Sequence, residues 1–187
     1  DLHASLENGA DLGQGRNGDD DQALMVDGND EYAVSQRSDL LRTPKKFTVS
    51  AWIKISSDFD EKSSRAIAAQ GTYYDTTGNW QFFVTEEKGL VLSLNNSGSW
   101  EGGTDPGSVR MGSSIPIDQW THVAATFDHS EVSLYVDGQL ERTGTLGATA
   151  FRNTNDAIKI GEREYSSAEN DFEGGIDDFR LYDRALS

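Results

Sequence analysis

Hydrophobic and polar residues alternate with a period of two along most of the chain. In residues 47–55, one face of a strand would carry only apolar side chains, namely Phe47, Val49, Ala51, Ile53 and Ile55. Similar short runs predict further strands at residues 23–26, 66–70, 80–85, 90–94, 120–127, 132–136, 158–161 and 176–182. Residues 1–21, rich in Gly, Asn and Asp, lack this alternation and are predicted to form an irregular N-terminal segment.

Short turn sequences separate the predicted strands. Asp137-Gly138 is a strong hairpin signal, because both positions of such a turn take positive φ, which Asp and Gly tolerate. Residues 95–117 are the longest predicted loop, and loops of that length are usually functional. No segment shows a helical pattern longer than one turn. About nine short strands with regular turns predict an all-β fold, either a sandwich or a closed barrel.

Charge and composition narrow the possible partners. Asp and Glu number 32 against 16 Lys and Arg, so the formal net charge is −16. This excludes nucleic acid as a partner, because affinity for phosphates comes from clustered Lys and Arg. No apolar run approaches the ~20 residues of a membrane span, so we expect no membrane insertion. The chain has no Cys, which removes disulfides, thiolate zinc sites and Cys nucleophiles.

Six motifs in a fixed order give the chain a family resemblance. They read ALMVDGNDEYAV at residues 23–34, FTVSAWI at 47–53, WTHVAATFD at 120–128, VSLYVDG at 132–138, IKIG at 158–161 and FEGGIDDFRLYDRALS at 172–187. Together they are similar to the laminin-G-like domains of the concanavalin-A-like lectin/glucanase superfamily, in the form common in bacterial surface and secreted proteins. The resemblance implies a jelly-roll sandwich of two antiparallel sheets. The missing Cys pair, present in many animal members, favours a bacterial origin.

The length and the resemblance predict how the chain is organised. The 187 residues suit one domain, and we expect residues 1–187 to be a single laminin-G-like domain. Because the chain starts at Asp1 and not at Met, we expect it to be excised from a larger extracellular protein, secreted or on the cell surface. The expected partners are a glycan or another cell-surface ligand, and neighbouring domains of the same polypeptide.

The superfamily includes glycoside hydrolases, so catalysis has to be tested. Retaining glycosidases need two carboxyl groups ~5–5.5 Å apart. The resemblance implies that hydrolases of this fold place them on one strand as Glu-x-Asp-x-x-Glu, but Gly175 and Arg180 occupy the two Glu positions around Asp177. No Ser-His-Asp arrangement is evident, and His122 is interpreted as a packed core residue. We therefore expect the domain not to be an enzyme.

Asp27, Asp30 and Asp178 are the candidate metal ligands. Calcium binds six to eight oxygens, and the turn at residues 27–30 offers carboxylates and carbonyls. The resemblance implies a structural calcium between this early turn and a late Asp of the last strand. Asp177 and Asp178 would point to opposite faces, and Asp178 is favoured because it shares a face with Ile176. The alternative is that these Asp residues are ordinary turn and hairpin residues on an acidic surface.

Aromatic and polar side chains in three predicted loops form the candidate ligand surface. Sugar rings stack on aromatic side chains, while Asp, Asn and Arg bind their hydroxyls. The residues of this kind are Tyr74, Asp75, Asn95, Asn96, Trp100, Arg163 and Tyr165. The alternative for each aromatic is packing, and packing is favoured for the Trp residues within predicted strands, which are Trp52, Trp80 and Trp120.

These features favour a non-catalytic carbohydrate-binding or adhesion module that depends on calcium or is stabilised by it. Calcium would be structural, with a bridging role to the ligand as a further option. One alternative is a calcium-dependent protein- or peptide-binding adhesion module. Another is a structural spacer domain without a ligand, and a hydrolase is the last. The aromatic, Asn-rich loops favour the glycan over the spacer.

Overall fold

The computed structural model describes residues 3–42, 46–59, 63–71, 80–94, 107–146, 155–163 and 170–187. Regular structure there is almost entirely strand, with one short 3₁₀ helix at Asp39–Leu41. The strands are β1 (Ala4–Glu7), β2 (Asp11–Gly13), β3 (Ala23–Asp27), β4 (Tyr32–Ser35), β5 (Lys46–Ile55), β6 (Arg65–Gln70), β7 (Trp80–Val84), β8 (Leu90–Leu94), β9 (Ser108–Arg110), β10 (Thr121–Asp128), β11 (Glu131–Val136), β12 (Gln139–Thr145), β13 (Ile158–Ile160) and β14 (Glu173–Tyr182).

The strands form two antiparallel sheets of seven strands each. The first sheet has the order β1-β4-β13-β6-β7-β8-β9, and the second has the order β12-β11-β10-β5-β14-β3-β2. This architecture confirms the predicted all-β sandwich of two antiparallel sheets. The Asp137-Gly138 hairpin is confirmed as well, since the φ angles are 48° and 76° and the turn joins β11 to β12.

The core lies between the two sheets. The alternating apolar residues of β5 face it, and Phe47, Val49, Ala51, Ile53 and Ile55 are all 0 % exposed. The ring centroid of Phe47 is 5.7 Å from that of Trp80 in the first sheet and 5.7 Å from that of Phe127 in β10. Trp80 is itself fully buried, which confirms the prediction that it belongs to the core.

The outer faces of the two sheets differ in how far they are covered. Every residue of β6, β7 and β8 is buried, so the middle of the first sheet is covered on both faces. In the second sheet, Trp52 and Lys54 of β5 and most residues of β14 are at least partly exposed. The outer face of the second sheet is therefore the more open surface of the sandwich.

The prediction of an irregular N-terminal segment was wrong. β1 pairs with β4 at the edge of the first sheet, and β2 pairs with β3 at the edge of the second. Both strands are short and mostly exposed, so neither needs the alternation of apolar residues that reveals a strand in a sequence.

Trp52, Trp120 and His122 do not belong to the core, contrary to the prediction. All three are partly exposed, and Trp52 and His122 lie on the outer face of the second sheet. Trp52 follows Ala51 and precedes Ile53, both of which point inward, so the alternation of the strand turns Trp52 outward. His122 is its direct neighbour on β10 and faces the same way.

Candidate functional site

Two of the three predicted ligand segments connect strands at the same end of the first sheet. Gln70 at the end of β6 pairs with Trp80 at the start of β7, and Trp80 pairs with Leu94 at the end of β8. The strand ends that flank residues 72–79 and 95–106 therefore lie at one end of the sheet. The predicted ligand residues on these two segments lie outside the described residues, and they are Tyr74, Asp75, Asn95, Asn96 and Trp100.

The third segment belongs to the opposite end of the first sheet. β13 runs antiparallel to β6, with Ile158 opposite Gln70, so the chain leaves β13 away from the other two segments. Arg163 follows β13 and is only 6 % exposed. Its guanidinium donates to Asn170 Oδ1 and lies 5.5 Å from the ring centroid of Phe83. Arg163 is thus an internal residue, while Tyr165 lies outside the described residues.

The early turn places Asp30 beside the buried carboxyl of Asp171, which the sequence does not mark as a candidate metal ligand. Asp30 has a φ of 58°, and its backbone N–H donates to Asp171 Oδ2 at 3.0 Å. Asp27 accepts a hydrogen bond from the backbone N–H of Asn29 at 2.9 Å. Asp171 is 1 % exposed. Burial raises the pKa of the Asp171 carboxyl to about 7, and the negative charges of Glu162 and Asp30 add to the rise.

The structure does not bring Asp178 to this turn. Asp27 is paired with Glu173 across β3 and β14, and Asp178 lies five residues further along β14, roughly 15 Å away. Arg180 binds Asp178 through two hydrogen bonds of 2.8 and 3.1 Å. In the described part of the chain, no group of three or more His, Asp or Glu side chains is close enough to hold a metal ion.

A β-bulge explains why the expected face of Asp178 differs. β14 pairs with β5 through Asp177 and Trp52 and next through Arg180 and Ser50, so β14 contains one extra residue. Asp178 takes a φ of 50° in this bulge. The bulge breaks the alternation of side chains along the strand. Counting residues therefore no longer assigns Ile176 and Asp178 to the same face.

Arg16 binds the carboxylate of Asp177, which occupies the Asp position of the Glu-x-Asp-x-x-Glu pattern. Its backbone N–H donates to Asp177 Oδ2 at 3.0 Å, and its side chain is 3.7 Å from the carboxylates of both Asp177 and Asp178. The guanidinium lies 5.1 Å from the ring centroid of Trp52. The irregular part of the N-terminal segment therefore folds over the outer face of the second sheet and neutralises charge on β14.

The sequence also matches a known protein family over most of its length. The profile of a laminin-G-like family, described as the concanavalin A-like lectin/glucanases superfamily, matches residues 27–187. The chain belongs to this superfamily. A comparison with curated proteins finds no match.

Solved structures share the fold of this laminin-G-like domain at low sequence identity. Domain 4 of AbnA, a GH43 extracellular arabinanase from Geobacillus stearothermophilus, was solved in complex with arabinotriose. It has a TM-score of 0.70 and 20 % identity, over 98 % of this chain and 84 % of that one. The binding domain of Paraclostridial Mosquitocidal Protein 1 has a TM-score of 0.75 and 16 % identity, over 100 % of this chain and 45 % of that one.

The binding domain of botulinum neurotoxin serotype D gives a similar result. Its TM-score is 0.71 at 15 % identity, and the match covers 100 % of this chain and 44 % of that one. The laminin-G-like domain thus spans less than half the length of these two toxin domains. In the described residues, it has no helix long and apolar enough to cross a membrane.

The laminin-G-like domain leaves no room on β14 for one of the hydrolase carboxylates. A Cβ at Gly175 would lie 2.7 Å from Trp120 Cη2, so the Trp120 ring covers the position where Glu would stand. The other position holds Arg180, whose side chain is engaged with Asp178. The arrangement on β14 is therefore a packed and charge-neutralised surface.

Proposed function

We propose that this laminin-G-like domain is a non-catalytic carbohydrate-binding module of a larger secreted or cell-surface protein. The observation that carries the proposal is the strand register that joins residues 72–79 and 95–106 to one end of the first sheet. Those two segments hold both aromatic and Asn or Asp side chains, which is the composition that sugar recognition needs. The arabinotriose bound to domain 4 of the arabinanase is consistent with a saccharide ligand.

We propose that the domain is not catalytic because of the residues that β14 carries. Gly175 lies beneath Trp120, and Asp177 is held by Arg16. A carboxylate pair of the kind that a retaining glycosidase uses would need Glu at both positions 175 and 180. The two toxin neighbours are binding domains, which supports a binding module over a hydrolase.

We propose calcium as a stabilising ion at the early turn. The Asp30 and Asp171 carboxylates and the carbonyls of residues 27–30 are oxygen donors of the kind that calcium binds. Burial disfavours the ionised form of Asp171, and a cation beside it would favour that form. Asp27 would contribute its backbone carbonyl from the same turn, while Asp178 would take no part.

A glycan array with fluorescently labelled protein tests the binding function. Arrays run in calcium and in chelator should give the same preferred glycans, with a weaker signal in chelator. Trp100→Ala and Tyr74→Ala should reduce binding by about tenfold or more, because each removes a stacking ring. Leu12→Ala is the matched control, since Leu12 is 42 % exposed on β2 at the edge of the second sheet.

Two results would count against the glycan proposal. Binding to a displayed peptide library without binding to any glycan would favour the protein-binding alternative. If the folded protein binds neither the glycan array nor the peptide library, a structural spacer domain is favoured.

A further inference from the structure

The outer face of the second sheet contains a cleft of about 310 Å³ that lies away from the loops discussed above. Its floor consists of small residues on two neighbouring strands. Thr48 and Ser50 of β5 stand opposite Thr126 and Ala124 of β10. Because four short side chains lie together on one face, they leave a trough between the taller residues around them.

Aromatic rings form the walls of this trough. Tyr135 of β11 is paired with Ala124 on one side, and Tyr182 of β14 is paired with Thr48 on the other. His122 closes one end, and its ring centroid lies 5.4 Å from that of Trp52 in an edge-on contact. Tyr135, Tyr182 and His122 are all partly exposed, so their rings are accessible from the cleft.

The C-terminal residues form the remaining wall and hold it in place. Leu186 and Ser187 line the cleft. The Leu186 backbone N–H donates to Thr48 Oγ1 at 2.9 Å, and Thr48 Oγ1 donates to the Arg184 carbonyl at 2.9 Å. These two hydrogen bonds fix the tail on the sheet, so the cleft is built from five separate parts of the chain.

Polar atoms in the cleft are available to a ligand. Within the described part of the chain, the hydroxyls of Ser50, Thr126 and Tyr135 make no hydrogen bond, and none of them is a fully buried atom. Burial lowers the pKa of the His122 imidazole, against the opposing charge of Asp137. A neutral imidazole both donates and accepts hydrogen bonds. The cleft thus offers hydroxyls, an imidazole and two phenol rings.

Two basic side chains near the cleft are engaged with carboxylates, and the Asp137 carboxylate accepts a hydrogen bond from the backbone N–H of His122. Arg180 is bound to Asp178 and lies 3.4 Å from the Tyr182 hydroxyl, and Lys46 is 3.1 Å from Asp128. A charged ligand would have to compete with these pairs, whereas a neutral ligand would not. A peptide strand is also a poor occupant, because strand addition needs a sheet edge and the cleft lies on a face.

We propose that this cleft is a second saccharide site, which binds one or two units of a neutral glycan between Tyr135 and Tyr182. Aromatic walls with a hydroxyl-lined floor match a sugar ring, which has an apolar C–H face and a polar edge. The volume is at the lower end of the ~300–1,000 Å³ of ligand pockets. The proposal extends the proposed glycan-binding function and needs none of the residues on the loop segments.

Backbone NMR shifts of the full chain, with neutral arabino- and gluco-oligosaccharides at millimolar concentration, test the proposal. We expect shifts at Thr48, Ser50, Thr126 and Tyr135. Ala124→Leu fills the trough from an outward-facing position and should weaken this binding about tenfold or more. Ser5→Leu adds the same side chain on the distant edge strand β1 and should leave binding unchanged.

Several outcomes are decisive. If Ala124→Leu does not fold, Tyr135→Ala removes a wall and should weaken binding about tenfold. Absence of shifts in the cleft with every neutral probe would overturn the proposal, as would undiminished binding by folded variants. Trp100→Ala distinguishes this site from the loops. Shifts of cleft residues that persist in Trp100→Ala support a second site, even if the loops bind nothing. Glycan binding that depends on Trp100, without shifts of cleft residues, would overturn the second site alone.

Discussion

The backbone N–H of Asp30 donates a hydrogen bond of 3.0 Å to the buried carboxylate of Asp171, which is 141 residues away in the sequence. This bond ties the turn after β3 to the segment that precedes β14. It also places the carboxyl among the negative charges of Asp30 and Glu162. We therefore expect the stability of the sandwich to change with the protonation state of Asp171.

Asp171 should make the domain less stable as the pH rises. Its pKa is about 7 in the folded protein, against an ordinary value near 4 in the unfolded chain. Between these values the folded state binds more protons, so the free energy of unfolding falls with increasing pH, by about 4 kcal/mol as an upper limit. Urea denaturation at pH 5 and at pH 8 measures the change.

Asp171→Asn should flatten this pH dependence. Asn keeps an oxygen that can accept the hydrogen bond from Asp30 but cannot ionise. Asp20→Asn, at an exposed position of the N-terminal segment, is the control and should keep the slope of the unmutated domain. An equal slope in Asp171→Asn and the unmutated domain would remove Asp171 as the source.

Calcium should raise the melting temperature most clearly at pH 8, where Asp171 is ionised. A ligand that binds only the folded form at a hundredfold excess over its Kd stabilises it by about 2.7 kcal/mol. For a domain of this length, each kcal/mol raises Tm by roughly 2–4 °C, so we expect an increase of several degrees. Differential scanning calorimetry in millimolar calcium, with chelator as the reversal, gives the measurement.

Matched ionic strength separates specific binding from screening, because the net charge of −16 makes the domain sensitive to salt. Asp171→Asn should lose the calcium effect, whereas Asp178→Ala should retain it. Equal melting temperatures in calcium and in sodium chloride would show that no specific site exists.

Gly175→Ala should destabilise the domain by about 1–3 kcal/mol, because the new methyl group meets the Trp120 ring. Trp120→Leu in the same chain should recover part of the loss. A double-mutant cycle by urea denaturation measures the coupling between the two positions. Additive effects of the two substitutions would mean that the ring does not restrict position 175.

The domain should release no reducing ends from arabinan, laminarin, agar or carrageenan. Arg16 engages Asp177, and Gly175 and Arg180 occupy the two positions on β14 where a retaining mechanism would need Glu. A reducing-sugar assay measures this directly. Hydrolysis that disappears in Asp177→Asn would contradict the expectation.

Residue alternation predicted the strands that have a buried inner face. β5 is the clearest case, since its five inward-facing apolar residues are all fully buried. The exposed edge strand β12 has no such face, and its pairing with β11 leaves no period-two signal in the sequence. Edge strands are therefore the part of this fold that hydrophobic patterning cannot reveal.

The candidate site was harder to predict because its contacts are long-range. Arg16 and Asp177 are 161 residues apart in the sequence, and no local sequence pattern predicts their contact. At Asp178 a single extra residue redirects the side chain, so counting positions along the strand gives the wrong face. Asp171 precedes the last strand without a turn or cation motif around it, so the sequence does not indicate that its carboxyl is buried.

β1 and β2, only three residues apart, complete the edges of two different sheets. The family match begins at residue 27, so a domain trimmed to that boundary would lose β1, β2 and all of β3 except Asp27. β4 and β14 would then present unpaired rows of N–H and C=O groups to other molecules, which favours self-association through strand pairing. The strands before residue 27 therefore cover the edges of both sheets, and the folded sandwich extends beyond the boundary of the family match.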